Sequence, residues 1–411
     1  MRYDLCVIGG GPAGMMAAGR AAENGAKVIL LEKNHGLGAK LLITGKGRCN
    51  ITNKTDDWRE FIKKFGGNGR FLTKALNNFD VEATINFFES RKLKLKVEEG
   101  QRVFPLSDSA YDVLKVLIEY LRQNKVEIKI EAAVKNFVVK NKIIQKAVLS
   151  NGEEVEAENF LIAVGGKSYP ATGSTGDGYE WLKKMGHTIV KPRPALVPIL
   201  IKEKFVKNLQ GLSLKNVEIS LWQNEKVLDK KFGEALFTDR GMSGPIILSL
   251  SRFVEFNKEY QLKIDFKPAL TLVELDKRLQ NDFQKYNNKQ FRNALNDLLP
   301  QKVIATFLKL SQIDENKKVN LITREERFTL AQLLKNFTLT VSGLGGWDEA
   351  IITTGGVSLS EVDPQTMRSK IIENLFLAGE ILNLDGPTGG YNLQVCWSTA
   401  ILVGDAVKKT L

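Results

Sequence analysis

Gly9-Gly10-Gly11-Pro12-Ala13-Gly14 is the feature that most constrains the fold. It stands between Asp4-Leu5-Cys6-Val7-Ile8, which reads as a buried strand, and the alanine-rich stretch Ala13 to Asn24, which reads as a helix. Lys27 to Leu31 reads as a second strand ending at Glu32, so the chain starts as a βαβ unit. In such a unit Gly9 allows the tight turn, Gly11 lets a pyrophosphate reach the backbone and Gly14 lets helix and strand pack closely. The helix N-terminus, opening at Pro12 and Ala13, supplies unpaired N–H groups and partial positive charge. Glu32, with Lys33 beside it, then accepts hydrogen bonds from an adenosine ribose. A carboxylate there repels a 2′-phosphate, which argues against NADP at this site.

A second piece lies far along the chain. Asn374 to Leu377 reads as a strand running into Ala378-Gly379-Glu380, followed by Asp385-Gly386-Pro387-Thr388-Gly389-Gly390-Tyr391-Asn392 and an apolar helix to about Val407. A late acidic strand end suits the ribityl or phosphate part of FAD, and a helix opening near Gly390 can aim its dipole at the N1/C2 carbonyl edge of a flavin. NAD enzymes need no such distal piece; the plainer reading is a strand and a packing helix. A third piece, Gly38 to Asn53, sets Lys40, Lys46 and Arg48 among Gly45 and Gly47, which suits a pyrophosphate, and Asn50 offers a donor and an acceptor to a flavin edge. Its plainer reading is a solvated basic loop. Val134, and Gly165-Gly166 after the apolar strand Asn159 to Val164, complete the cofactor-binding set.

The chain has 411 residues, 43% hydrophobic and 26% charged, too long for one core, so two or three units are expected. Strands alternate from Glu127 to Val164 around an Asn151-Gly152 turn, and Lys191-Pro192-Arg193-Pro194 marks a boundary. Residues 1–192 and 341–411 are expected to form one discontinuous α/β domain around an insert at 193–340. That insert reads as β-rich over 193–268 and helical over 269–336, with helices at Thr271 to Phe283, Asn293 to Leu299, Lys302 to Leu310 and Arg324 to Lys335. Three cysteines far apart and two histidines, His35 and His187, support no disulfide framework, metal centre or Ser-His-Asp triad. With no signal peptide and no apolar run of roughly 20 residues, a cytoplasmic protein off the membrane is expected. The formal charge is +12, and residues 193–340 carry 25 Lys and Arg against 17 Asp and Glu, while 341–411 carry 4 against 8. A basic surface attracts polyanions, or is simply a solvated face.

Several blocks resemble the BaiN/RdsA (YhiN-like) flavoprotein family: the GGGPAG start, GAKLLITGKGRCNITN at 38–53, AVGGKSYPATGSTGDGYEWL at 163–182, LFTDRGMSGPIILSLS at 236–251, TTGGVSLSEVDPQTMRSK at 353–370 and AGEILNLDGPTGGYNLQVCWSTA at 378–400. The resemblance runs nearly end to end. It departs at Thr44 and Lys46, where Ser and Gly are expected, and at Asp239, where His is expected. It implies a glutathione-reductase-like FAD-binding Rossmann domain interrupted by a β-barrel part and a helical part.

With no second GxGxxG and no CxxC, the remaining chemistry is hydride exchange between flavin N5 and a stacked substrate, with NADH or NADPH as a transient reductant. Candidate catalytic residues are Cys49, Asn50 and Arg240. Cys49 sits in a basic, glycine-rich context that can lower its pKa and leave it accessible, or it packs; Arg240 faces substrate or pairs with Asp239; His35 belongs near the adenosine end. The resemblance implies members that reduce double bonds of steroid-like acids, members that oxidise amines, and members that reduce a uridine of ribosomal RNA. The charge, with the strip Arg91 to Lys96 and Lys202, Lys204 and Lys207, favours the RNA. The alternatives are an oxidase or ene-reductase of a small metabolite, and a flavin-containing RNA-binding factor without turnover.

Overall fold

The computed structural model describes residues 2–55 and 57–407. The chain divides into two compact units, residues 1–194 with 347–411, and residues 195–346.

The first unit is built on a mixed sheet. Its parallel strands run Glu127–Lys129, Val28–Leu31, Tyr3–Ile8, Glu154–Ile162, with Leu5 opposite both Val28 and Asn159. The two central strands, Tyr3–Ile8 and Val28–Leu31, read as near-continuous apolar runs because both faces are covered. The long strand Glu154–Ile162 serves two neighbours on its far side. Its first half pairs antiparallel with Ile143–Leu149, which continues to Val134–Lys140, and its end pairs parallel with Leu375–Leu377, placing Phe160 opposite Leu375. A strand from the end of the chain thus enters the sheet one place from the strand that starts it.

Two helices follow the same logic. Pro12–Glu23 buries Ala17, Ala18 and Ala21 and packs on Tyr391–Ala406. A Cβ at Gly404 would lie 2.5 Å from the Arg20 Cβ and 3.0 Å from the Ala21 nitrogen, so only a residue without one allows that crossing. Arg20 Nε then reaches Asp405 Oδ1 at 2.6 Å.

The proline-dense stretch 191–194 lies inside strand Ile189–Ala195, which among the described residues forms a two-stranded sheet with Ile352–Val357. A two-stranded ladder leaves each strand an open edge, which tolerates the missing N–H of Pro192 and Pro194.

The second unit is a closed antiparallel barrel in the order Ile199–Ile201, Gly241–Ser243, Lys226–Phe237, Ser213–Gln223, Gln261–Asp265, Phe337–Leu344, closing on Ile199–Ile201. Strand Phe337–Leu344 crosses residue 340 and pairs along its length inside the barrel. Helices Leu272–Lys285 and Arg324–Lys335 each begin with a reciprocal capping box, Thr271 with Glu274 and Thr323 with Glu326. Helix Gln301–Ser311 packs on the last of these.

The helix expected from Asn293 to Leu299 is corrected. A 3-10 turn at Phe291–Asn293 is followed by turns, with the Leu299 amide donating to the Leu295 carbonyl, and Pro300 caps the next helix. Pro300 disfavours helical geometry at Leu299, and the segment is too short to hold a helix alone. Its apolar spacing still buries Ala294, Leu295, Leu298 and Leu299. Among the described residues no helix is long and apolar enough to cross a membrane, and no group of His, Cys, Asp and Glu is arranged to hold a metal ion.

Phe337 joins barrel to helices. It is fully buried, stacked on Phe307 at 5.2 Å and edge-on to Phe266 at 5.7 Å. Phe337→Ala removes that joint, and denaturant unfolding of the second unit should show a loss of about 3–5 kcal/mol.

Candidate active site

The glycine turn behaves as its spacing requires. Gly9 has φ +105°, and a Cβ there would lie 2.7 Å from the Ala163 carbonyl oxygen; one at Gly14 would lie 1.9 Å from the Gly9 oxygen. A Cβ at Gly11 would meet nothing within 4 Å, so the turn is open where a ligand would arrive. Gly11 is the N-cap of helix Pro12–Glu23 and no side chain caps it, so the first-turn amides of Ala13 and Gly14 face that opening without an intrahelical acceptor.

Glu32 is buried and holds the turn in shape. Its Oε2 accepts from the Gly10 amide at 2.7 Å and its Oε1 from the Asn34 amide at 2.8 Å. A carboxylate has about four acceptor sites, so each oxygen keeps one for a ribose hydroxyl. Val134 opens its strand two residues beyond Ala132, whose amide donates to the Glu32 carbonyl. Lys33 is committed elsewhere, to Thr175 Oγ1 at 2.7 Å and Asp177 Oδ2 at 2.8 Å. His35 is exposed, with Nδ1 2.9 Å from Glu131 Oε1.

The late strand end meets this turn directly. Gly379, at φ +75°, is so close to the helix start that a Cβ on it would lie 2.9 Å from the Ala13 Cβ. Next to it the Glu380 carboxylate is fully engaged: Lys40 Nζ donates to Oε2 at 2.6 Å, while Ser168 Oγ at 2.9 Å and the Thr353 amide at 2.7 Å donate to Oε1. Lys40 also donates to Ser168 Oγ at 2.5 Å. Lys40 is therefore the counter-ion of Glu380. Gly165 has φ +74°, and Gly166 is backed by Thr353, whose Oγ1 would lie 2.2 Å from a Cβ there.

The second helix start is held by three asparagines. Gly389 and Gly390 have φ +113° and +97°, and a Cβ on Gly390, the N-cap of Tyr391–Ala406, would lie 2.3 Å from the Thr52 carbonyl. Asn50 donates from Nδ2 to the Thr52 oxygen at 3.0 Å and the Val103 oxygen at 3.1 Å, and accepts from the Gly390 amide on Oδ1 at 3.0 Å. Asn53 donates to the Gly389 oxygen at 3.0 Å and accepts from the Tyr391 hydroxyl at 3.2 Å. Asn392 clips the Asp385-Gly386-Pro387 turn, donating to the Gly386 and Pro387 oxygens at 3.1 Å each and accepting from the Gly386 amide at 2.8 Å. Asn50 is thus a backbone tie, not a free flavin contact.

Two further expectations need correction. Arg48 does not point a free guanidinium at a phosphate: it lies 4.0 Å over the Phe104 ring and donates to Glu98 at 2.9 Å and Asp108 at 3.2 Å. Cys49 is neither accessible nor activated. It is fully buried, and burial pushes its thiol up to about 12, against the small downward pull of its hydrogen bond with Thr44. Around it Gly45, Lys46 and Gly47 all have left-handed φ, at +56°, +60° and +84°, so Lys46 occupies a conformation that favours glycine. Arg240 lies in an exposed turn of the second unit with Nε 3.9 Å from Asp239 Oδ2.

Sequence reasoning missed Ser168, Thr353, Asn53 and Gln394. Gln394 had a signal: an amide inside an apolar helix must find partners. It is fully buried, accepting from Thr52 Oγ1 at 2.6 Å and donating to Thr84 Oγ1 at 2.8 Å and the Asp80 oxygen at 3.1 Å.

The model of the HI0933-like protein Rossmann domain matches residues 3–406. The chain belongs to that family. It is an FAD-dependent oxidoreductase of the BaiN/RdsA group. A 3-dehydro-bile acid delta(4,6)-reductase of Clostridium scindens is 32% identical over 97% of this chain and 98% of its own length. A ribosomal RNA dihydrouridine synthase of Escherichia coli is 27% identical over 97% of this chain and 96% of its own. Among solved structures, the quinol fumarate reductase of Escherichia coli superposes with a TM-score of 0.52 at 15% identity, covering 98% of this chain and 69% of that one, which shows the shared fold. The Rossmann domain that the family model names is seen here as the unit of residues 1–194 and 347–411, with the barrel and its helices inserted at 195–346.

Two outcomes follow from the geometry. Cys6, Cys49 and Cys396 are all buried with raised pKa values, so a thiol reagent at pH 8 should label none of them in the native protein and all three after denaturation. Gly390→Ala forces a Cβ into the Thr52 carbonyl and should lower both thermal stability and retained FAD, measured by differential scanning fluorimetry and by flavin released per chain.

Proposed function

We propose that the protein hydrogenates an activated carbon–carbon double bond, that its substrate is a uridine of ribosomal RNA, and that NADH or NADPH supplies the hydride. FAD, when bound, provides the N5 centre through which a hydride is exchanged. The chain's own contribution is position. The amides at Ala13 and Gly14 fit the pyrophosphate, Glu32 fits the adenosine ribose, and the start of helix Tyr391–Ala406 fits the electron-rich edge of the flavin ring. Lys40 and Glu380 neutralise each other beside Gly379, so the cradle gains no net charge from that pair.

Both named relatives support double-bond reduction, since a delta(4,6)-reductase and a dihydrouridine synthase each add two hydrogens across a ring carbon–carbon bond. The observation that carries the RNA reading is charge. A formal +12 fits a phosphate backbone and has no use toward a small apolar ring. The uracil would leave its stack to reach the flavin. With Cys49 sealed in the core, the proton that completes the reduction arrives from another group or from water.

The 32% relative favours a second reading, reduction of a small conjugated ketone. One experiment separates them. Holoenzyme reduced anaerobically with NADPH or NADH is mixed with unmodified bacterial ribosomal RNA, a steroid dienone or a small amine. The RNA reading predicts fast flavin reoxidation and dihydrouridine detected by mass spectrometry in the RNA arm alone. Reoxidation by the dienone with no change in the RNA rejects it, and RNA binding without reoxidation leaves a binding factor without turnover.

A further inference from the structure

Half of the strip Arg91 to Lys96, which suits a phosphate backbone by composition, is used up inside the fold, leaving Lys92 and Lys94 exposed. Arg91 lies 3.9 Å over Phe87 and 4.5 Å over Tyr120, and Lys96 is paired with Asp108 at 2.6 Å. Another stretch keeps its charge on the surface. Residues 54–74 carry six cations, Lys54, Arg59, Lys63, Lys64, Arg70 and Lys74, against Asp56, Asp57 and Glu60. All six are exposed. Lys54, Arg70 and Lys74 make no ion pair among the described residues, and Arg59 reaches Asp57 only at 3.8 Å.

This stretch is clamped to the glycine turn that starts helix Tyr391–Ala406. Phe61 and Phe65, both buried, lie 4.8 and 6.5 Å from the Tyr391 ring. A Cβ at Gly386 would lie 2.8 Å from the Phe65 ring, and Asn68 donates to the Asn383 oxygen at 2.9 Å. The basic surface therefore borders the loop 383–391 that the flavin reading places at the ring edge.

We infer that residues 54–74 are the docking surface for the RNA phosphate backbone. The inference rests on the RNA reading above and names where that RNA is held. Charge complementarity selects a polyanion. A lipid surface is disfavoured, because none of the large hydrophobic side chains in this stretch is exposed, and interfacial binding needs them. Trp58, half-buried with the Arg59 guanidinium 4.8 Å over its ring, adds an aromatic face among the cations, the pairing that unstacked bases use.

The test is binding of unmodified bacterial ribosomal RNA to full-length holoenzyme across a salt series. The variant Lys54→Glu/Arg70→Glu/Lys74→Glu is compared with Lys115→Glu/Lys125→Glu/Lys184→Glu, which makes the same change of charge at exposed lysines elsewhere. Expected is at least a tenfold loss of affinity for the first variant alone. The slope of log K against log salt should flatten by about 2, since each contact to a single strand contributes about 0.7. Neutral Lys54→Gln/Arg70→Gln/Lys74→Gln should move the same way by less, with bound FAD and NAD(P)H reduction unchanged as evidence of folding. Equal losses in the two glutamate variants, or an unchanged slope in the first, overturn the docking surface while dihydrouridine formation by the wild type leaves the substrate reading standing. A wild type that binds no RNA overturns both.

Discussion

The ladder between Leu375–Leu377 and the end of Glu154–Ile162 is the constraint on which the rest depends. It delivers residues nearly 370 positions beyond the glycine turn to within van der Waals reach of it, since Gly379 has room for no Cβ against Ala13. Loop closure over such a distance costs entropy that grows only slowly with length, so the insert between the two halves is tolerated as long as that ladder forms. The parallel strands Tyr3–Ile8 and Val28–Leu31 beyond it are buried on both faces and contribute through their apolar surface. The first helix start and the acidic turn after Gly379 belong to one cradle because of this pairing.

The second helix start is fixed by hydrogen bonds. Asn50, Asn53 and Gln394 satisfy backbone groups on separate segments, with Asn53 and Gln394 buried and Asn50 partly so. Such bonds add little net energy when made and cost the full desolvation of their partners when broken, so they select one register for helix Tyr391–Ala406. Lys40 and Glu380 act similarly at the first junction, with side chains only about a fifth exposed and three donors on one carboxylate. Positive charge inside the cradle is thereby tied down, while that of residues 54–74 stays on the surface.

Much of this was readable from sequence because the signals are local. Gly9, Gly11 and Gly14 are demanded by a turn and a close approach, and the strand, helix and acid around them are contiguous. The late piece showed its strand end, glycines and helix start in the same local way, but not its partner strand, which is more than two hundred residues away. Side-chain direction was not readable. Arg48 and Lys40 look alike as cations among glycines, yet one stacks on Phe104 and the other pairs with Glu380, and both choices depend on residues distant in the chain. Cys49 misled for the same reason: basic neighbours suggested a thiolate, and burial reversed it. At 293–299 apolar spacing correctly marked the core and wrongly implied a helix, because Pro300 acts on backbone geometry and not on burial.

Quantifying FAD bound per chain tests the account most directly. Purified protein is loaded with excess FAD, desalted and denatured, and the released flavin is measured for the wild type and for Glu32→Ala, which removes the carboxylate that orders the glycine turn. A cradle built from both ends of the chain predicts about one FAD per wild-type chain and a marked loss in the variant. A wild type that stays colourless after loading, or a variant that retains flavin at full stoichiometry and affinity, would contradict it.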